Sequence, residues 1–170
     1  MKKILLIEHP QEPTLSKWLE LETQSDINPF QDVEFTRAFY DLLFLRRLKT
    51  ESKFDKIIYN NIPYELYKNS DKEIPFHGLE TIKLIKGKSK DVSLMQKLEI
   101  NQEELDKIIP LYKNVPILII SNSGIDQESL HISIIKEYNK AISDGLIQNY
   151  TKVLDIFGKF SENLINFINS

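Results

Sequence analysis

Five short strand-like runs, separated by longer segments of helical periodicity, constrain this chain more than any other feature. The runs fall at residues 3–7, 31–37, 54–59, 115–120 and 153–157. Ile4-Leu5-Leu6-Ile7 and Ile117-Leu118-Ile119-Ile120 are apolar at every position. A strand needs that pattern only when both of its faces are covered, as in a parallel sheet between two helical layers. The second run instead alternates, with Val33 and Phe35. Helical spacing follows at 14–23, with Leu15, Trp18, Leu19 and Leu21 on one side. It recurs at 39–48, which is strongly apolar and ends among Arg46, Arg47 and Lys49, as a helix C-terminus prefers. It recurs at 78–86, where Gly87 is placed to cap; at 127–143, with Leu130, Ile134, Ile135, Tyr138 and Ile142; and at 162–168.

Strands alternating with helices require crossover connections, and such connections are right-handed. The expected fold is therefore α/β: a doubly wound, five-stranded parallel sheet in three α/β/α layers. The flavodoxin-like order 2-1-3-4-5 is the one to expect, with ligands at the carboxyl ends of the strands. Two stretches exceed the minimal unit. Residues 62–76 are polar and punctuated by Pro63 and Pro75, which reads as a long loop. Residues 88–114 carry one inserted helix between helix 3 and strand 4. It spans 102–109, and Asn101 with Glu104 is placed as a capping pair. At 170 residues, the expectation is a single domain over 1–170 with these two insertions.

Composition removes several classes of function. The chain has 25 acids against 22 Lys and Arg, a net charge of −3, with both signs interspersed. No basic stripe of the kind nucleic acid needs is present, so no direct nucleic-acid partner is expected. The absence of cysteine excludes disulfides and thiolate catalysis. No stretch reaches the roughly 18 apolar residues that span a bilayer. Met1-Lys2-Lys3 with four apolar residues is too short for a secretory leader. A cytoplasmic protein without a membrane partner is expected.

The ends of the runs carry the chemistry. Run one ends Glu8-His9-Pro10. Run three ends Tyr59-Asn60, with Pro63 soon after. His77-Gly78-Leu79-Glu80 opens the next helix. Run four ends in Ser121, and Lys159-Phe160 follows run five. In this order, and over nearly the whole chain, these motifs resemble the response-regulator receiver domain of two-component signalling. The resemblance implies that Glu8 and His9 stand where the family has two Mg²⁺-holding acids. Asn60 stands where it has the phosphorylated aspartate, Ser121 where a Thr or Ser senses the phosphoryl group, and Lys159 where a lysine pairs with it. Phe160 replaces the family's proline.

Phosphoryl transfer to a carboxylate needs a nucleophilic oxygen and a divalent cation. Mg²⁺ prefers hard oxygen ligands. An amide at position 60 neither attacks phosphorus nor brings charge, and Glu8 is left as the lone acid. The expectation is a degenerate pocket of Glu8, His9, Asn60, Ser121 and Lys159 that binds no metal or cofactor and satisfies itself internally. Lys159 would pair with Glu8 or Asn60. The chain would then be a pseudo-receiver, not an enzyme, acting on protein partners such as a signalling kinase or regulator. By the resemblance, the helix 4–strand 5–helix 5 face would carry signalling and homodimerisation, with Phe157 and Phe160 as candidates for exposure there, although aromatic residues are more often buried. The chain reaches Ser170 soon after its last helical segment, so no DNA-binding domain is expected within it.

Other readings of the same residues are weaker. Asn61 is the alternative acceptor position, and it is also an amide. Glu8-His9 lacks metal-spaced partners, because His77 and His131 lie far off in sequence. Ser121, Ser123 and His9 lack a Gly-x-Ser-x-Gly turn. Asn122-Ser123-Gly124 offers one glycine for a phosphate loop. The apolar 39–48 stretch is read as core before partner surface. A flavodoxin-like small-ligand or nucleotide binder, or an enzyme of that type, is the competing function. The His9-Pro10-Gln11-Glu12-Pro13 turn has no glycine to cradle a phosphate.

Overall fold

The computed structural model describes residues 1–9, 14–24, 28–61, 78–121, 128–152 and 159–170, with 61, 128–133, 152 and 159 described by backbone alone. The elements run β1 (Lys2–Glu8), α1 (Thr14–Thr23), β2 (Val33–Phe39), α2 (Tyr40–Thr50), β3 (Lys56–Asn61) and α3 (Leu79–Ile85). They continue with α4 (Val92–Lys97), α5 (Gln102–Tyr112), β4 (Ile117–Ser121), α6 (Glu128–Ser143), β5 (Asn149–Lys152) and α7 (Lys159–Asn169). All strand pairs are parallel and the order is β2-β1-β3-β4-β5, the doubly wound arrangement expected.

The pleat sorts the strand residues onto two faces. Leu5, Ile7, Ile57, Tyr59, Ile117 and Ile119 meet Phe44, Leu45, Ile82, Ile85, Leu105 and Tyr138 from α2, α3, α5 and α6. Ile4, Leu6, Ile58, Leu118 and Ile120 meet Leu15 and Leu19 of α1 and Leu164, Phe167 and Ile168 of α7. The 39–48 stretch is therefore core at Phe44, Leu45 and Leu48. Leu21 of α1 faces solvent instead of the core.

Punctuation read from the sequence holds at two helix ends. Asn101 and Glu104 form a reciprocal capping box on α5. Gly87, at φ +72°, ends α3 by sending its N–H to Leu84 O at 3.0 Å while Lys88 N–H reaches Lys83 O at 2.8 Å. A Cβ there would stand 3.1 Å from Ile109 Cγ2. Gly87→Ala is expected to cost about 1–2 kcal/mol, read as a lowered urea midpoint with unchanged slope.

Two expectations need correction. The insertion holds two helices, not one. The extra helix α4 has six residues, too few to print a period, and is started by Asp91, whose side chain accepts from Leu94 N–H. The fifth strand is Asn149–Lys152, and the expected 153–157 run lies outside the described residues. β5 sits at the sheet edge, where polar Asn149 and Lys152 are tolerated, so no continuous apolar run marks it. Phe160 is partly buried and packs on the α1–α7 side, 6.3 Å from the Trp18 ring centroid, while Phe157 lies outside the described residues.

Candidate functional site

The winding reverses between β1 and β3, and their carboxyl ends flank the switch point where ligands bind in such sheets. β1 delivers Glu8 and His9 to it, and β3 delivers Asn60 and Asn61.

Glu8 is fully buried. Its carboxylate accepts from Ser16 N–H at 3.2 Å and, through its other oxygen, from the Ser16 hydroxyl. Ser16 lies in the first turn of α1, so Glu8 satisfies a backbone donor that the helix start leaves orphaned and meets the positive end of its dipole. Hydrogen bonds to a charged acceptor are worth about 1.5–3 kcal/mol. Ser16→Ala should lower stability by about that amount, detectable by chemical denaturation, without disturbing β1. His9 is 9% exposed, and its ring meets Tyr40 edge-on at 5.3 Å.

Asn60 is also fully buried, and neither atom of its amide has a hydrogen-bond partner among the described residues. At Asn60 the internal satisfaction expected of the pocket is not found. Glu8 is engaged by Ser16, and the pairing expected of Lys159 falls on a side chain outside the described ones. Asn60 follows Ile58 on the face of the sheet that α1 and α7 cover.

The register separates the remaining residues. Asn60 lies opposite Ile120, whereas Asn61 lies opposite Ser121. Ser121 is buried and lies level with Lys152. Lys159 does not end the fifth strand; it is the first residue of α7. Lys152 is the last described residue of β5.

A second cluster was missed from sequence. Asp41, in the first turn of α2, is fully buried. It accepts from the Tyr59 hydroxyl at 2.6 Å and from the Thr81 hydroxyl at 2.6 Å. The Tyr59 oxygen in turn accepts from Gly78 N–H at 3.1 Å. Burial above all, then the charge of Asp41, hold the Tyr59 phenol well above its ordinary 10.0. Tyr40, at φ +65°, is the strained joint that turns β2 into α2 and brings Asp41 inward. Asn60 and Tyr59 are sequence neighbours on opposite faces, so this network backs the site through the sheet.

Magnesium, which the resemblance implies, does not fit these residues. It requires several hard oxygen ligands. The described residues offer Glu8, already committed to Ser16, beside an imidazole and an amide. No group of three or more His, Asp or Glu able to hold a metal occurs among the described residues. No helix among them is long and apolar enough to cross a membrane.

Comparison with known proteins places the fold. No family model matches the chain, and no curated protein matches it in sequence. Among solved structures, an adenylate cyclase from Rhodopirellula baltica superposes with a TM-score of 0.50 at 17% identity, over 98% of this chain and 86% of that one. The Francisella response regulator 1452 receiver domain gives 0.49 at 13% identity, over 99% and 96%. A response regulator receiver protein from Sinorhizobium medicae WSM419 gives 0.47 at 13%, over 99% and 95%. At these identities the likeness speaks to architecture alone.

Proposed function

We propose that this protein is a receiver-like signalling module of the cytoplasm that works without phosphorylation, through contacts with other proteins. One observation carries the reading. The tip of β3, where a receiver needs a carboxylate open to phosphate, holds a fully buried amide. The neighbouring acid, Glu8, is already bound to Ser16. A nucleophile and a cation are both needed for aspartyl phosphorylation, and Asn60 supplies neither. The partner class is a signalling kinase or regulator, or a second copy, meeting the α6–β5–α7 face. β5 is a four-residue edge strand there.

Intact-mass analysis after incubation with Mg²⁺ and acetyl phosphate should give no phosphoryl adduct. A hydroxylamine-labile adduct on this protein would overturn the reading.

A second reading, a small-ligand binder of the same fold, draws on one observation: the Asn60 amide lies unpartnered at the switch point. Thermal-shift measurement with nucleotides and flavins separates the two. A rise of several degrees with one of them favours the binder.

A further inference from the structure

The amino end of the sheet, opposite the site above, holds a cavity of about 310 Å³ between the α5–β4 and α6–β5 connections. Lys86 forms part of its wall and is only 7% exposed. Buried lysines ordinarily meet a carboxylate; among the described residues Lys86 meets none. Its ammonium donates to Lys113 O at 3.2 Å and to Val115 O at 2.5 Å. An ammonium has three donors, so one is left for the cavity.

The surroundings are positive. Lys113 shares the same wall, and Leu146 joins this cavity to a second depression bordered by Lys83, Lys88 and Asp144. Lys83 is paired with Glu80 and Asp144 with Lys140. Lys86, Lys88 and Lys113 have no acidic partner among the described residues. The bland alternative is that these lysines only offset helix ends. α3, α5 and α6 all finish here, each contributing about half a negative charge. Three unpaired cations exceed that sum. The excess stands out on a chain whose net charge is −3.

We propose that this cavity is a binding site for a small multivalent anion carrying phosphate or carboxylate groups, with Lys86 and Lys113 in its wall and Lys88 at the rim of the adjoining depression. Cavities of this size suit small ligands. Burial alone lowers the Lys86 amine to about 8. A bound anion favours the charged form, so binding takes up a proton near that pH and weakens above it. The other titratable groups bordering the two depressions are Lys83, Lys88, Lys113 and Asp144.

Isothermal titration with inorganic pyrophosphate and with citrate, in metal-free buffer at matched ionic strength, tests the site. Saturable binding to either is expected. Between pH 8 and 9.5 affinity should fall by about tenfold per pH unit, and Lys86→Met should remove that dependence with most of the binding. Pyrophosphate alone would assign phosphate chemistry and citrate alone carboxylate chemistry. If Lys86→Met does not fold, Lys88→Ala/Lys113→Ala, which alters only exposed side chains, should weaken binding at least tenfold. Absence of saturable binding, or binding that is indifferent to pH and to the lysine substitutions, would overturn the proposal.

Discussion

Replacing Asp41 by alanine is expected to destabilise the protein by about 3–5 kcal/mol. For a chain of this length that is a fall in Tm on the order of 10 °C. The loss is large because three elements depend on one carboxyl. Asp41 is fully buried at the start of α2, the Tyr59 hydroxyl comes from β3, and the Thr81 hydroxyl comes from α3. Removing the acceptor leaves two hydroxyls in a dry interior, each with the desolvation penalty of an unmade bond.

Tyr59→Phe is the discriminating companion. It keeps the ring packed on Phe44 but takes away one donor to Asp41 and the acceptor of the Gly78 N–H. It should cost less, about 1–3 kcal/mol. The double variant should fall short of the sum, because both changes break the same bond. The phenol also makes stability depend on pH. Its folded-state value is raised, so its contribution is complete below about pH 10 and is lost as pH rises further. Tyr59→Phe should flatten that alkaline decline; strict additivity with an unchanged alkaline limb would show that the three groups do not act together.

The sheet was legible because burial on two sides writes a continuous apolar run. β1 and β4 appear almost as expected, and so does the order that strand–helix alternation imposes. The same logic explains the failure at β5. An edge strand needs no such run, so Asn149–Lys152 passed unread, while the expected 153–157 run lies outside the described residues. Capping chemistry is local and was therefore readable, at Asn101 with Glu104 and at Gly87. Asp41 was not, because its partners lie 18 and 40 residues away and only the folded core brings them together. Asn60 was located from sequence, but its missing partners were not. A sequence shows which groups a position carries, whereas hydrogen-bond satisfaction depends on where Ser16 reaches Glu8 first.

Asn60 should respond in opposite directions to two substitutions. Asn60→Leu keeps the branch at Cγ and removes two buried polar atoms that bond to nothing. Relief of that desolvation should raise stability by about 1–2 kcal/mol. Asn60→Asp restores the residue type that phosphorylation requires, in a place unprepared for charge. No hydrogen bond to Asn60 is made among the described residues, and Glu8 ends the adjacent strand β1. An uncompensated buried carboxylate should cost about 3–5 kcal/mol at neutral pH. Its folded-state pKa must then lie above the ordinary value of about 3.9. Relative to the parent protein, the variant is therefore least impaired at acid pH and loses stability as pH rises through that raised value. Urea midpoints at pH 5 and pH 8 read the difference directly, and added Mg²⁺ should change neither. A gain in the Asn60→Asp variant specific to Mg²⁺ would mean that Glu8 leaves Ser16 to gather a cation, and the case for a module stripped of phosphoryl chemistry would fail with it.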